Sequence, residues 1–264
     1  MEIKIKNRNF DLKQTFFCGQ CFRWKEMENG DFTGIIFGNR MILRQSGDEI
    51  TITGGLPYET VESYFDLKTD YGEFIKRFSE DETLKKACGH SPGIRLLHQE
   101  PFETLISFII SQNNNIPRIS GIIDRLCENF GEKIDGGYAF PTPRQLDGIT
   151  PDDLGVLRAG FRARYIADAV KRVNSGEVNF EEIDSLSLDE ARSKLKMIVG
   201  VGDKVADCVL LFAFRKLNAF PKDVWVKRVM AEYFPHGLPP CTLNAEGAAQ
   251  QYLFDWIRHI GAPH

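Results

Sequence analysis

The sequence predicts an α+β protein: an antiparallel β-sheet unit with short helices over residues 1–90, then a mostly α-helical unit over 91–264. Three observations carry this. Apolar and polar residues alternate in short runs over the first 54 residues. From Pro57 onward the apolar spacing shifts to the helical period. Near residues 195–215, two apolar helices flank the tight turn Gly200-Val201-Gly202.

Taken in order, EIKIK at 2–6 and ITITG at 50–54 alternate, with CFRWKEM, DFTGIIFG and RMILRQ between them. Asn29-Gly30, Gly38-Asn39 and Ser46-Gly47-Asp48 are turn signals at short, regular spacing. Val61, Tyr64 and Phe65 suit a short helix, Tyr71, Phe74, Ile75 and Phe78 a second, and Leu84 begins a third. Cys88 to Gly93 breaks the periodicity, which places the boundary between units near 85–95. Pro101 suits the first turn of a helix that Asn113-Asn114-Asn115 interrupts. Another helix runs from about Pro117 to Phe130 and stops at Gly131. Residues 162–174 alternate basic and apolar residues at helical spacing. Ser187 and Glu190 form a capping box, Asp223 opens a further helix, and Asn244 caps a last one that Gly261 and Pro263 end.

Composition narrows the function classes. The 264 residues are 42% hydrophobic and 27% charged, ordinary for a soluble globular chain. No apolar run is long enough to span a bilayer, and MEIKIKNRNF lacks a signal core. The expectation is a cytoplasmic protein, nucleoid-associated if prokaryotic, and monomeric because no coiled-coil pattern is present. A net charge of -4 argues against a uniformly basic DNA coat but leaves room for a local basic face of Arg158, Arg162, Arg164, Lys222, Lys227 and Arg228. Cysteines stand at 18, 21, 88, 127, 208 and 241. Cys18 and Cys21 have CxxC spacing, but no second pair completes a metal set. The five histidines form no HxxxH motif, so no metal site is expected.

The chemistry concentrates in KLKMIVGVGDKVADCVLLFAFRKLNAFPKD, residues 194–223. A turn of this kind leaves backbone N–H groups free at the start of the second helix, where the positive dipole end also lies, and together they suit a phosphate. The hairpin carbonyls offer a place for a structural cation. Lys204 and Cys208 are four apart and share a helix face. Partial burial and the positive dipole end both favour a neutral, nucleophilic amine at Lys204, able to form a Schiff base with a sugar aldehyde carbon. Asp223, nineteen residues on, suits stabilisation of positive charge on a sugar ring. Alone, Lys204 reads as a solvated surface charge and Asp223 as a helix cap; beside the glycine hairpin the catalytic reading is favoured for the pair.

The combination resembles the 8-oxoguanine DNA glycosylase/β-lyases of the helix-hairpin-helix-GPD superfamily. Its most specific blocks are GVGDKVADC at 200–208, FPKDV at 220–224 and SQNNNIPRI at 111–119. Cys18 to Trp24, Gly160 to Tyr165 and Ala249 to Phe254 support it, so the likeness runs over most of the chain. The resemblance implies double-stranded DNA containing 8-oxoguanine as partner, excision followed by strand nicking, and no required cofactor. An iron–sulfur cluster of the kind some relatives carry is not expected, because only Cys241 follows Cys208. Lys204 aligns with the family's Schiff-base lysine and Asp223 with its catalytic aspartate. Gly19 matches the glycine whose carbonyl accepts the N7–H of 8-oxoguanine; ordinary guanine offers an acceptor there and is repelled. Cys208 and Phe254 match the pair that sandwiches the flipped base, and Gln250 the residue that bonds its Watson–Crick edge. Asn113 matches the residue that fills the gap in the duplex, Arg118 and Arg162 those that read the orphaned cytosine, and Phe161 the wedge beside it. Gly200, Gly202 and Val205 belong to the DNA-contacting hairpin. Trp225 stands where some relatives have a phosphate-facing histidine; its indole N–H donates but carries no charge.

Two other readings compete. A monofunctional alkylpurine glycosylase of the same superfamily uses the aspartate and water, without the hairpin lysine. A non-catalytic hairpin module for DNA binding needs neither Lys204 nor Asp223.

Overall fold

The computed structural model describes residues 1–260. The expected helix stop at Gly261 and Pro263 lies outside them. Strands β1 (Glu2–Lys6), β2 (Lys25–Glu26), β3 (Phe32–Ile36), β4 (Asn39–Ser46) and β5 (Glu49–Gly54) form one antiparallel sheet in the order β1-β5-β4-β3-β2. The register places Ile3 and Leu43 beside Ile52, so Met41, Leu43, Ile50 and Ile52 are all buried. That follows from the two-residue period, which sends alternate side chains to one face.

The chain between β1 and β2 contains a helix, α1 (Leu12–Phe17), that the alternating pattern does not reveal. Asp11 caps it by accepting from the Gln14 N–H, and its Phe16 stacks on Trp24 with centroids 4.1 Å apart.

The helical part comprises α2 (Tyr58–Tyr64), α3 (Tyr71–Phe78), α4 (Glu82–His90), α5 (Pro101–Ser111), α6 (Ile116–Phe130), α7 (Arg162–Asn174), α8 (Phe180–Ser185), α9 (Leu188–Leu195), α10 (Asp203–Phe214), α11 (Val224–Tyr233) and α12 (Glu246–Ile260). A two-stranded ribbon, β6 (Lys133–Ile134) and β7 (Gly137–Tyr138), follows α6. The capping box at Ser187 and Glu190 is present, and Asp223 caps α11. Asn244 is not adjacent to α12, which begins at Glu246; it stands two residues earlier with φ 61°, turning the chain in.

Helix α5 is the pillar of the helical part, with Phe102 and Thr104 to Ile110 all buried. It packs on α10, where the Phe108 and Phe212 rings stack 5.5 Å apart. Each such apolar side chain contributes about 1.5–3 kcal/mol by leaving water. One hydrophobic cluster lies under the sheet and a larger one among the helices. Cys18 and Phe22 belong to the helical cluster and Cys21 to the sheet cluster, so the segment carrying Gly19 sits at their seam.

Candidate active site

The hairpin between α9 and α10 is held from both sides. Arg192 bonds Asp207 at 2.8 Å and Lys196 pairs with Asp203 at 2.6 Å, joining the two helices across the turn. Gly200 needs to be glycine: its φ is +83°, and a Cβ there would lie 2.5 Å from the Tyr165 ring. Gly202 does not. It is the N-cap of α10 with φ −100°, and a Cβ there meets nothing within 4 Å. The tight turn therefore requires glycine at Gly200 alone; at Gly202 the open space lies on the outside.

Lys204 is the second residue of α10 and half-buried. Its Nζ donates to the Ser111 hydroxyl at 3.1 Å and stands 5.0 Å from the centre of the Phe108 ring. Ser111 ends α5, so the buried pillar fixes where the amine points. Asp223 is half-buried, and one carboxylate oxygen accepts from the Val226 N–H at 2.8 Å. Both residues line one cleft of about 390 Å³ with Ser111, Gln112, Asn113, Asn114, Gly202, Val205, Lys222, Val224, Trp225 and Lys227. With Lys222 and Lys227 both exposed, positive charge lines the cleft around a single carboxylate.

A second group pairs Phe254 with Gly19. Its φ is +84°, and the Phe254 ring lies against it, 2.9 Å from where a Cβ would stand. The flanking carbonyls are both taken: Gln251 donates to Cys18 O at 2.7 Å and Gln99 to Gln20 O at 2.8 Å. Among the hydrogen bonds of the described residues, the Gly19 carbonyl accepts none. The buried Gln20 side chain anchors the loop through Thr15 O, Arg95 O and the Leu97 N–H. Gln250 is 5% exposed and its Oε1 has no partner among the described residues, a costly state for a buried acceptor. Burial pushes the Cys208 thiol up to about 11, against the Lys204 charge, which lowers it, so at neutral pH it is a polarisable thiol and no rival nucleophile. Cys18 and Cys21 are free, buried thiols bonded to the carbonyls of Thr15 and Phe16.

The third group is the Asn113 loop. Asn113 is exposed with φ 48°, Arg118 is exposed, and Asn115 caps α6 by accepting from the Arg118 N–H. Phe161 is 46% exposed at the start of α7. Arg162 is 2% exposed, which excludes a solvated helix face. Its guanidinium donates to the carbonyls of Gln112, Asn113 and Ala159 and lies 4.5 Å from the Phe161 ring centre. Burial, then the charge of Arg118, lowers its pKa. To meet a base it must exchange these carbonyls. Trp225 is half-buried at the cleft with the Arg228 guanidinium 5.3 Å from its ring centre.

Sequence reasoning missed Ser111, Gln20, Gln99 and Gln251. Ser111 stands inside the SQNNN block, but nothing in the sequence points its hydroxyl at Lys204. Among the described residues, the group of three or more His, Cys, Asp or Glu side chains at metal-ligand spacing is His90, Asp255 and His259.

Comparison with known proteins matches residues 2–105 to the 8-oxoguanine DNA glycosylase N-terminal domain and residues 106–240 to the HhH-GPD superfamily base excision DNA repair proteins. A probable N-glycosylase/DNA lyase of Methanothermobacter thermautotrophicus is 32% identical, covering 88% of this chain and 85% of its own. The N-glycosylase/DNA lyase of Saccharomyces cerevisiae is 40% identical, covering 86% of this chain and 69% of its own. The Clostridium acetobutylicum 8-oxoguanine glycosylase/lyase, solved with double-stranded DNA containing cytosine opposite 8-oxoguanine, superposes with a TM-score of 0.89, at 40% identity and 98% coverage of both chains. An antiparallel sheet followed by a helical hairpin domain, an amine and a carboxylate sharing a cleft, and these likenesses across the whole chain agree: the protein belongs to the 8-oxoguanine DNA glycosylase branch of the HhH-GPD superfamily of base excision repair proteins.

Proposed function

We propose that the protein is a bifunctional DNA repair enzyme that extrudes 8-oxoguanine from duplex DNA, releases it as the free base and nicks the strand 3′ to the lesion. The carrying observation is that Lys204 and Asp223, nineteen residues apart, line one cleft beside the exposed Asn113 loop. The free amine of Lys204 attacks C1′ as the C1′–N9 bond breaks, and the bond's electron pair leaves with the base. Asp223 stabilises the positive charge that develops on the sugar. The nitrogen sheds a proton and O4′ takes one up as the C1′–O4′ bond opens to give an imine. A C2′ proton then passes to water, its bonding electrons form the C2′–C3′ double bond, and the C3′–O bond breaks with its electron pair leaving on the 3′ phosphate. Water then frees the lysine.

Recognition draws on the other groups. The free Gly19 carbonyl is an acceptor for the N7–H that distinguishes the oxidised base from guanine. The Gln250 amide faces its Watson–Crick edge, and Cys208 and Phe254 enclose its faces. Asn113 fills the vacated place, while Arg118, Arg162 and Phe161 act on the orphaned cytosine. The exposed Gly202 N-cap, with Gly200, Val205 and Trp225, meets phosphate. An amine, a carboxylate and water supply every step, so no cofactor is required; a cation on the hairpin carbonyls of Ile198 or Gly202, each holding one hydrogen bond, would serve DNA binding only.

Among the described residues no helix is long and apolar enough to cross a membrane. A DNA substrate and free cysteines fit the cytoplasm, nucleoid-associated if prokaryotic, and a monomer suffices. The test is cleavage of duplexes carrying 8-oxoguanine opposite each of the four bases, with a chelator present. Release and nicking fastest opposite cytosine supports the reading; equal cleavage opposite all four removes the roles of Arg118 and Arg162. Base release without nicking returns the alkylpurine-type, water-directed alternative.

A further inference from the structure

We infer that His90, Asp255 and His259 form a structural site for one transition-metal dication of the zinc class, tying the end of α4 to the last turns of α12. One ring nitrogen of each histidine and one Asp255 oxygen lie within 4.8 Å of one another. The carboxylate side chain is only 5% exposed, a placement that is unfavourable for an ion without compensation. Its single hydrogen-bond donor among the described side chains is the Ser91 hydroxyl, at 2.6 Å from Oδ2. The imidazoles stop short of bonding it: His90 Nε2 is 4.0 Å from Oδ2 and His259 Nδ1 is 3.6 Å from Oδ1. Those gaps exceed a hydrogen bond. Ligand atoms around a tetrahedral ion with bonds of about 2 Å stand roughly 3.3 Å apart, so a closure of up to about 1.5 Å brings the three atoms to ligand spacing.

The surroundings are those of a ligand set. Ser91 orients the carboxylate by an outer hydrogen bond. His259 Nδ1 lies 2.8 Å from the Asp255 carbonyl oxygen and 3.6 Å from Oδ1, so binding an ion through Nδ1 exchanges the carbonyl contact for the metal. The two rings lie 5.0 Å apart, and both are open to solvent, at 33% and 55% exposure, so an ion can enter and water can complete the coordination. Two imidazoles and one carboxylate suit zinc or a neighbouring first-row dication and disfavour magnesium or calcium, which take oxygen ligands. Asp255 follows Phe254 directly, so the ion steadies the helix bearing Gln250 and Phe254 from outside the reaction cleft. The reaction proposed above draws nothing from it.

The test is calorimetric titration of the chelator-stripped full chain with zinc chloride, beside H90A, H259A and the H90A/H259A pair. Cobalt(II) absorption serves as the second readout. The expected result is one saturable site in the wild type, with tetrahedral-type cobalt absorption. Affinity should fall at least tenfold in either single variant and vanish in the pair, and Ser91→Ala should weaken it about tenfold through the lost outer bond. Zinc should raise the melting temperature of the wild type and not of the pair. Both histidines are solvent-facing, so these variants fold, which circular dichroism verifies. Absence of saturable binding, or binding unchanged in the double variant, overturns the site.

Discussion

Lys204 Nζ donates to the Ser111 hydroxyl at 3.1 Å, while that hydroxyl lies 2.8 Å from the Phe108 carbonyl oxygen. The hydroxyl hydrogen goes to the carbonyl and the oxygen lone pair is left for the lysine. Ser111 is thus a positioning residue, held by a buried helix, for the nucleophile. Ser111→Ala should lower the single-turnover excision rate about fivefold to tenfold, the worth of one hydrogen bond of about 1 kcal/mol. DNA affinity should stay within about twofold. An unchanged rate would remove the positioning role.

Asp223 both caps α11 and faces the cleft, and the two roles separate by substitution. Asparagine is an equally good cap, so Asp223→Asn should leave stability within about 0.5 kcal/mol. Its excision rate should fall by about 10²–10³, because the negative charge is gone. Asp223→Ala should lose the same activity and also about 1 kcal/mol of stability. Comparative thermal melts and single-turnover assays read both.

The two hairpin glycines should behave oppositely. Gly200→Ala places a Cβ 2.5 Å from Tyr165 at positive φ and should destabilise the fold by about 2–4 kcal/mol. Gly202→Ala meets open space and should cost about 1 kcal/mol or less. The second variant should nevertheless bind duplex DNA more weakly, because its methyl occupies the phosphate approach. Urea melts and a salt-dependent binding series check the pair.

Glu100 gives a pH dependence. Burial, then the neighbouring Glu103, pushes its carboxyl from 4.5 up to about 7. Above pH 4.5 the unfolded chain releases this proton first, so the group's contribution to stability falls as pH rises to about 7 and is constant beyond. Glu100→Gln removes the penalty. It should stabilise the protein by about 1–3 kcal/mol at pH 8 and by far less near pH 4.5. A gain of equal size at both pH values would contradict the assignment.

What the sequence discloses here is local, and what it conceals is assembled at a distance. The periodicity of α5, the Gly131 stop and the capping box at Ser187 are all short-range signals, and each is found where the pattern puts it. Helix α1 is six residues long with a cap but no extended apolar stripe, so alternation on both sides masks it. Lys204 and Asp223 are legible because the hairpin fixes their neighbourhood within one stretch of chain. Arg162 reads as surface from its basic, amphipathic helix; its burial arises from the carbonyls of a loop 50 residues earlier. Ser111 and Lys204 are 93 residues apart, and Ser91 and Asp255 are 164 apart. Neither spacing carries any signal until α5 meets α10 and α4 meets α12.

The central claim is that Lys204 becomes covalently joined to the sugar. Borohydride trapping on a duplex with one 8-oxoguanine opposite cytosine tests it, with wild type, Lys204→Gln and an undamaged duplex side by side. The account predicts a covalent adduct for the wild type on damaged DNA only, and none for the variant, which still binds the lesion. Base release without any adduct, or an adduct retained in Lys204→Gln, would contradict it.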